Sequence, residues 1–139
     1  MNKEFTLSET KPPEILTKYK ILIVDDEPGW RELLSYELTP KGYEVVSANN
    51  AAEGLACLEQ QSFDLVITDV RMPGPMDGID LIEAHRRVNP SQKVIFITGY
   101  AADEKLGKAL QLACSRCLKK PFDIDQLFHE IQSLLQQES

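Results

Sequence analysis

The sequence lacks the features of a membrane span, an exported disulfide scaffold or a nucleic-acid-binding domain. No uninterrupted apolar run exceeds four residues, whereas a membrane-spanning helix needs about 20. The three cysteines do not suggest a disulfide framework. The N-terminus has no hydrophobic signal core, which predicts a cytoplasmic protein. Lys and Arg number 15 against 22 Asp and Glu, and this acidic balance argues against direct nucleic-acid binding by phosphate neutralisation.

The residues that are present fit one globular domain. The chain has 139 residues, of which 42% are hydrophobic and 27% are charged, an ordinary composition for a single folded core. Residues 1–18 are mostly polar and contain Pro12 and Pro13. Such a segment has too little apolar surface to offset the entropy of ordering it. We therefore predict a flexible N-terminal extension over 1–18 and a folded domain over 19–137.

Short apolar runs alternate with segments of helical periodicity. The runs cover residues 21–24, 45–46, 65–67, 94–97 and, more weakly, 117–118. Continuous apolar runs are typical of strands buried on both faces of a parallel sheet. The helical segments include 30–38, 55–58, 79–82, 103–112 and 124–135. Five β-α units predict an α/β fold with a doubly wound, five-stranded parallel sheet and helices on both faces.

Polar residues follow four of these predicted strands. Asp25 and Asp26 end the first, Asp69 the third, Thr98 the fourth and Lys120 the fifth. In a doubly wound sheet the functional crevice lies beyond the carboxyl ends of the strands. A single aspartate at a strand end is usually a loop cap, but the whole set at one edge predicts a site.

The chemistry of this set favours phosphoryl transfer. Crowded carboxylates repel one another unless a cation binds, and Mg²⁺ suits one or two carboxylates together with a phosphoryl oxygen. Lys120 would add positive charge and Thr98 a hydrogen-bond donor, which leaves Asp69 as a nucleophile. Phosphoryl transfer needs mainly positioning and charge neutralisation, and these residue types supply both.

Four segments carry a resemblance to a known family. They read ILIVDDEP (21–28), DLVITDVRMPGPMDGIDLI (64–82), VIFITGY (94–100) and LKKPFDIDQL (118–127). The chain resembles the receiver domain of two-component response regulators over about residues 19–136. The resemblance implies a flavodoxin-like fold with strand order 2-1-3-4-5. It also implies a phosphorylation-dependent switch that catalyses only its own phosphotransfer and autodephosphorylation, rather than a metabolic enzyme.

The resemblance also implies specific roles. Asp69 would accept a phosphoryl group from a sensor histidine kinase or a histidine phosphotransfer protein. Asp26 and Asp69 would bind Mg²⁺ directly, Asp25 through a water, and the backbone carbonyl of Arg71 would be the third protein ligand.

Further implied roles concern the phosphoryl group and the partners. Thr98 and Lys120 would bind the phosphoryl group and take part in the switch. Arg71 and Tyr100, each two residues past a site residue, would flank the path of the hydrolytic water. A downstream effector would bind the face formed by the fourth helix, the fifth strand and the last helix.

The sequence departs from the family pattern in two places. The usual Met-Pro-x-Met-Asp-Gly loop has one extra residue here, at Gly74 or Pro75. Cys117 stands where the family usually has an aromatic ring that moves inward on activation. A bulky ring therefore cannot act as the switch, and we expect movement of the fourth helix, weakened by Gly107, to replace it.

Three alternative interpretations are open at this stage. An aspartyl-phosphate hydrolase usually has its two aspartates two positions apart, and Asp25 and Asp26 are adjacent. A flavodoxin-like carrier needs a phosphate loop after the first strand, where this chain is acidic. Cys114 and Cys117 form a CxxC, but the motif follows a helix instead of starting one, so the helix dipole does not lower a thiol pKa, and no histidine stands at zinc-ligand spacing.

Overall fold

The computed structural model describes residues 18–99, 104–111 and 114–136. These ranges contain five strands, five α-helices and one 3₁₀ turn, Thr39–Lys41. The strands are β1 Lys20–Val24, β2 Glu44–Ala48, β3 Leu65–Asp69, β4 Val94–Thr98 and β5 Ser115–Lys119. The helices are α1 Pro28–Leu38, α2 Ala51–Gln60, α3 Gly78–Arg86, α4 Glu104–Ala109 and α5 Ile124–Leu135.

The five strands form one parallel sheet in the order β2-β1-β3-β4-β5. The predicted fold class and strand order are therefore confirmed. Strand order reverses direction between β1 and β3, and this switch point opens a crevice at their carboxyl ends. In the register of β3 with β4, Asp69 lies opposite Ile97, so the last residues of neighbouring strands reach the same edge.

The sheet separates two apolar cores because successive strand side chains point to opposite faces. Leu22 and Val24 of β1 pack into one core with side chains of α2, α3 and α4, whereas Ile21 and Ile23 pack into the other with those of α1 and α5. These four side chains of β1 are fully buried, which explains why residues 21–24 form a continuous apolar run. Because both of its faces are buried, β1 is held firmly in the sheet. Asp25 and Asp26 follow its last residue.

The edge strands and α4 differ in length from the sequence prediction. β2 and β5 each have five residues, although only two apolar residues marked each of them. An edge strand is held by backbone pairing on one side and needs fewer apolar side chains. The fourth helix covers 104–109 and residues 110–111 form a turn, whereas residues 103 and 112 of the predicted helix lie outside the described residues. The predicted N-terminal extension, residues 1–18, lies outside the described residues except for Lys18. Among the helices of the described part, none is long and apolar enough to cross a membrane.

The loop between β3 and α3 contains the extra residue. Gly74 adopts a φ of 105°, a backbone conformation that favours glycine. The loop ends in a capping box in which the Asp77 carboxylate accepts from the Asp80 N–H at 2.9 Å and the Asp80 carboxylate accepts from the Asp77 N–H at 3.0 Å. A Cβ on Gly78 would lie 2.0 Å from the carbonyl oxygen of Asp69. Glycine at this position therefore lets the start of α3 pack directly against the end of β3.

Lys105 of α4 joins this helix to the start of α3. Its ammonium lies 3.1 Å from Asp77 Oδ2 and 2.8 Å from Asp80 Oδ1. We call Lys105, Asp77 and Asp80 the Lys105 cluster. The Lys105 side chain is 44% exposed, so this cluster lies at the surface. It connects α4 with the loop that follows Asp69.

Candidate functional site

The structure brings three aspartates together at the carboxyl edge of the sheet. Asp25 and Asp26 follow β1 directly and Asp69 is the last residue of β3. One carboxylate oxygen from each lies within 4.8 Å of the other two. Among the described residues this is the one group of three or more acidic, histidine or cysteine side chains that could hold a metal ion. The side chains of Asp25 and Asp69 are 2% and 12% exposed, whereas Asp26 is the most exposed member of the three, so the cluster faces solvent on the side of Asp26.

Lys120 brings a positive charge to these carboxylates. Its ammonium lies 3.9 Å from Asp25 Oδ2, 3.7 Å from Asp69 Oδ2 and 3.4 Å from Glu27 Oε1. The Lys120 N–H donates to the Thr98 carbonyl at 2.7 Å, which holds the residue after β5 against the end of β4. Thr98 itself is buried there. We call Lys120, Asp25, Asp26, Asp69 and Glu27 the Lys120 cluster.

The surroundings of Asp25 and Asp69 in the Lys120 cluster disfavour the charged form of both carboxylates. The pKa of Asp25 is raised from 3.8 to about 6, mainly by desolvation on burial and in smaller part by the carboxylates of Asp69 and Asp26. Burial also raises the pKa of Asp69, although Lys120 and the Arg71 backbone N–H lower it in part. The Glu27 N–H donates to Asp25 Oδ1 at 2.9 Å and favours the ionised form of Asp25. One ammonium therefore does not neutralise the cluster, which can accept a further cation.

A divalent cation fits this donor set. Carboxylate oxygens are the ligands that hard cations such as Mg²⁺ prefer, and Mg²⁺ usually takes one or two of them together with waters and phosphate oxygens. Mutual repulsion and burial raise the pKa values of Asp25 and Asp69, and a bound cation would relieve both effects. The site thus has the composition and charge of a magnesium site.

Three neighbours of Lys120 were not found by sequence reasoning. Glu27 supplies the closest carboxylate oxygen. Trp30 places its ring centroid 4.7 Å from the Lys120 ammonium, and Phe122 lies against Trp30 with 5.5 Å between ring centroids. The sequence contains a partial signal, because Glu27 adjoins the acidic pair and Phe122 lies two residues after Lys120. The helical spacing of Trp30 predicts only an apolar stripe on α1 and does not indicate a contact with Lys120.

The remaining predicted residues lie around this site or outside the described part. Arg71 is exposed in the loop after β3, and Tyr100 lies outside the described residues. Cys117, on β5, is half-buried against the core that contains Leu106 of α4, and burial raises its thiol pKa. Cys114 accepts a hydrogen bond from Arg86 Nη2 at 3.1 Å. Both cysteines are free, and they have packing and hydrogen-bonding roles.

The fold and site place the chain among doubly wound α/β domains that carry an acidic, lysine-containing pocket at the switch point of the sheet. The family model for the response regulator receiver domain matches residues 21–132. This chain therefore belongs to the response regulator receiver domain family, and the resemblance seen in the sequence is confirmed.

Relatives of known name support the same assignment. The transcriptional regulatory protein GlrR of Escherichia coli is 40% identical over 117 residues, which cover 84% of this chain and 26% of GlrR. The sporulation initiation phosphotransferase F of Bacillus subtilis is 33% identical over 116 residues, covering 84% of this chain and 93% of that protein. The chain thus spans about a quarter of GlrR but nearly all of the phosphotransferase.

A solved structure extends the similarity to three dimensions. The response regulator TrrA of Thermotoga maritima, in complex with Mg²⁺ and BeF, has a TM-score of 0.72 and 34% sequence identity. The match covers 84% of this chain and 98% of that one. The chain is a receiver domain of the two-component, phosphorelay type.

Proposed function

We propose that Asp69 is the phosphoacceptor of this receiver domain. The observation that carries the proposal is the convergence of Asp25, Asp26 and Lys120 on Asp69, whose side chain is 12% exposed at the end of β3. The group thus provides a carboxylate nucleophile beside fixed charges of both signs. Receiver domains act in two-component systems and phosphorelays, so a sensor histidine kinase or a histidine phosphotransfer protein is the proposed donor.

The transfer is a simple displacement at phosphorus. An Asp69 carboxylate oxygen forms a bond to phosphorus while the bond from phosphorus to the donor histidine nitrogen breaks. The electron pair of that bond stays on the imidazole nitrogen, and no proton has to leave Asp69 because it reacts as the carboxylate. Water later attacks the phosphoryl group, releases inorganic phosphate and restores the carboxylate. The domain is thus a switch that catalyses its own phosphorylation and dephosphorylation, not a metabolic enzyme.

The proposed ligands of Mg²⁺ are the residues that surround Asp69. Asp26 and Asp69 would bind the ion directly, together with the backbone carbonyl of Arg71, and Asp25 would bind it through a water. When bound, the ion neutralises charge on the phosphoryl oxygens and on the carboxylates. The complex of the relative TrrA with Mg²⁺ and BeF supports this assignment.

Lys120 and Thr98 complete the proposed phosphoryl site. Lys120 already lies 3.7 Å from Asp69, where its ammonium would pair with a phosphoryl oxygen. The Thr98 hydroxyl would donate a hydrogen bond to that group and move toward it. Movement of Thr98 would leave space beside the small Cys117 side chain, and a shift of α4 would fill it. The proposed output surface is therefore the α4-β5-α5 face, where a downstream effector would bind, and the expected cytoplasmic location stays a prediction.

Phosphorylation of Asp69 is tested with a small donor. We expect acetyl phosphate with Mg²⁺ to add one phosphoryl group, detected by intact-protein mass spectrometry, and Asp69→Asn to abolish it because the amide is not a nucleophile. Asp125→Asn, an exposed aspartate in the first turn of α5, is the matched control and should be labelled like the wild type. Equal labelling of Asp69→Asn would refute the assignment.

A further inference from the structure

The Lys120 ammonium is close to three carboxylates, but none of them holds it tightly. Its three nearest carboxylate oxygens lie at 3.4, 3.7 and 3.9 Å, whereas a short charge-assisted hydrogen bond spans about 2.7–2.9 Å. Lysine has a flexible four-carbon side chain that carries large rotamer entropy. The carboxylates alone therefore do not explain why the ammonium is held beside Asp69 with only 19% of its side chain exposed.

An aromatic ring provides the additional contact. The centroid of the Trp30 ring lies 4.7 Å from the Lys120 ammonium, within the range of a cation–π interaction, for which tryptophan is the best ring. Trp30 is itself supported by Phe122, with ring centroids 5.5 Å apart and ring planes tilted by 31°. Since Phe122 follows Lys120 by two residues, the same segment carries both the ammonium and the support for its ring.

We propose that Trp30 is a positioning residue for phosphoryl transfer, whose ring holds the Lys120 ammonium beside Asp69 before the phosphoryl group arrives. The ring attracts the ammonium without carrying a negative charge, so it does not compete with the incoming phosphoryl oxygens for a salt bridge. The ordering of the lysine side chain is then completed before the reaction, which lowers the barrier. This inference rests on the proposed role of Asp69.

The kinetic test compares two substitutions at Trp30. Trp30→Leu removes the ring but keeps an apolar side chain, and Trp30→Phe keeps a ring. We expect Trp30→Leu to lower the maximal rate of phosphorylation by acetyl phosphate about two- to thirtyfold, the range of a cation–π interaction, with little change in the donor concentration at half-maximal rate. Trp30→Phe should restore most of the rate. A Trp30→Leu rate equal to or faster than the wild-type rate would overturn the proposal.

A spectroscopic test needs no phosphorylation, and its main measurement is made on the wild-type protein. Protons above an aromatic ring are shielded, so the Lys120 Hε resonances of the wild-type protein should lie upfield of those of other lysines. Trp30→Leu should remove this shift. Trp30 is the single tryptophan of the chain, and its fluorescence should change on Lys120→Met but not on Lys119→Met, an exposed neighbour. Unshifted Lys120 resonances in the wild type would overturn the proposal.

Different results would overturn the proposal for Asp69 and the proposal for Trp30. A wild-type chain that takes up no phosphoryl group from acetyl phosphate overturns the role of Asp69 and the role of Trp30 together. A wild-type chain that is phosphorylated on Asp69 while Trp30→Leu keeps the full rate overturns the role of Trp30 alone. Urea denaturation of Trp30→Leu and Trp30→Phe identifies any loss of rate that comes from unfolding.

Discussion

Two lysines of this chain each face several carboxylates, in surroundings that differ in nearly every respect. In the Lys105 cluster the ammonium is 44% exposed and makes contacts of 2.8 and 3.1 Å. In the Lys120 cluster it is 19% exposed and all its carboxylate contacts are longer than 3.3 Å. The hydrogen bond from Lys105 lowers the pKa of Asp80, whereas burial raises the pKa values of Asp25 and Asp69.

The difference shows that close ion-pair geometry does not identify a functional site. Exposed ion pairs contribute little to stability because water already solvates both partners. The Lys105 cluster satisfies its own charges and needs no ligand. The Lys120 cluster keeps three aspartates and one lysine partly unsatisfied, which costs folding free energy and leaves charges free to interact with a cation and a phosphoryl group.

The largest expected difference between the clusters is in divalent cation binding. Asp26→Ala should weaken Mg²⁺ binding by more than Asp25→Ala, because Asp26 is the proposed direct ligand. Loss of a water-mediated contact typically costs about ten- to a hundredfold in affinity. Asp80→Asn, in the Lys105 cluster, should leave the affinity unchanged. Quenching of Trp30 fluorescence during a Mg²⁺ titration measures all three, and wild-type affinity in Asp26→Ala would show that the ligand assignment is wrong.

The next largest effect is on stability, and its sign should differ between the clusters. The folded-state pKa of Asp25, about 6, lies above the value of about 3.9 for a free aspartate. This group therefore makes the protein less stable as pH rises from about 4 to about 6. At pH 7 and without divalent cations, Asp25→Asn should increase the free energy of unfolding by roughly 1–3 kcal/mol, while its amide oxygen can still accept from the Glu27 N–H.

Asp80→Asn should have the opposite effect. The folded-state pKa of Asp80 is lowered, so its contribution to stability is present above the unfolded pKa and is lost as pH falls through the folded pKa. The loss on substitution should stay below about 1 kcal/mol because the pair is exposed. Urea denaturation in EDTA measures both variants. If Asp25→Asn were less stable than the wild type, the destabilising burial of the Asp25 carboxylate in the Lys120 cluster would be refuted.

A smaller effect concerns access of water to the Lys120 cluster. Asp69 is 12% exposed, against 36% for Asp80, and we propose that the bulky side chains of Arg71 and Tyr100 obstruct in-line attack on the phosphoryl group. Replacing both with serine should make the site more open and speed loss of the phosphoryl group several-fold. Mass spectrometry of the phosphorylated chain over time gives the half-life. An unchanged half-life would argue against steric control.

The smallest expected effect is in the coupling of the two clusters through α4. Binding of beryllofluoride, a phosphoryl mimic, with Mg²⁺ should lower the hydrogen-exchange protection of residues 104–111 a few-fold. We expect this because α4 is short and, among its described side chains, Leu106 alone is fully buried. Lys105→Ala should lower the same protection without beryllofluoride. Equal protection of α4 in both states, with a change on another face, would refute a switch through α4.

Sequence reasoning predicted the parts of the fold that depend on local pattern. β1, β3 and β4 are within two residues of their predicted bounds because strands buried on both faces need continuous apolar runs. At the start of α5, Asp123 and Gln126 have the spacing of a capping box, and the Gln126 side chain accepts from the Asp123 N–H at 2.9 Å. The helical spacing of residues 30–38 was less informative about burial, because Leu33 in that segment is 45% exposed.

The site was predictable as far as it depends on strand ends. Asp25, Asp26, Asp69 and Lys120 meet because parallel strands present their carboxyl ends at one edge. The contact of Trp30 with Lys120 depends on how α1 and the segment before α5 approach each other, and no spacing in the sequence encodes that distance. Lys105 was missed for the same reason, since its partners lie 25 and 28 residues earlier in the chain.

The close approach of Gly78 to Asp69 has a consequence for variation and engineering of this domain. The Gly78 N–H donates to the Val70 carbonyl at 2.9 Å, and no side chain fits between Gly78 and the end of β3. The first residue of α3 is therefore fixed to the strand and not to the loop before it. We therefore expect insertions among residues 72–76 to lengthen the rim of the pocket without rotating α3 or moving Asp69. Loop length at this rim can change to suit different partners while the geometry of the acceptor stays constant.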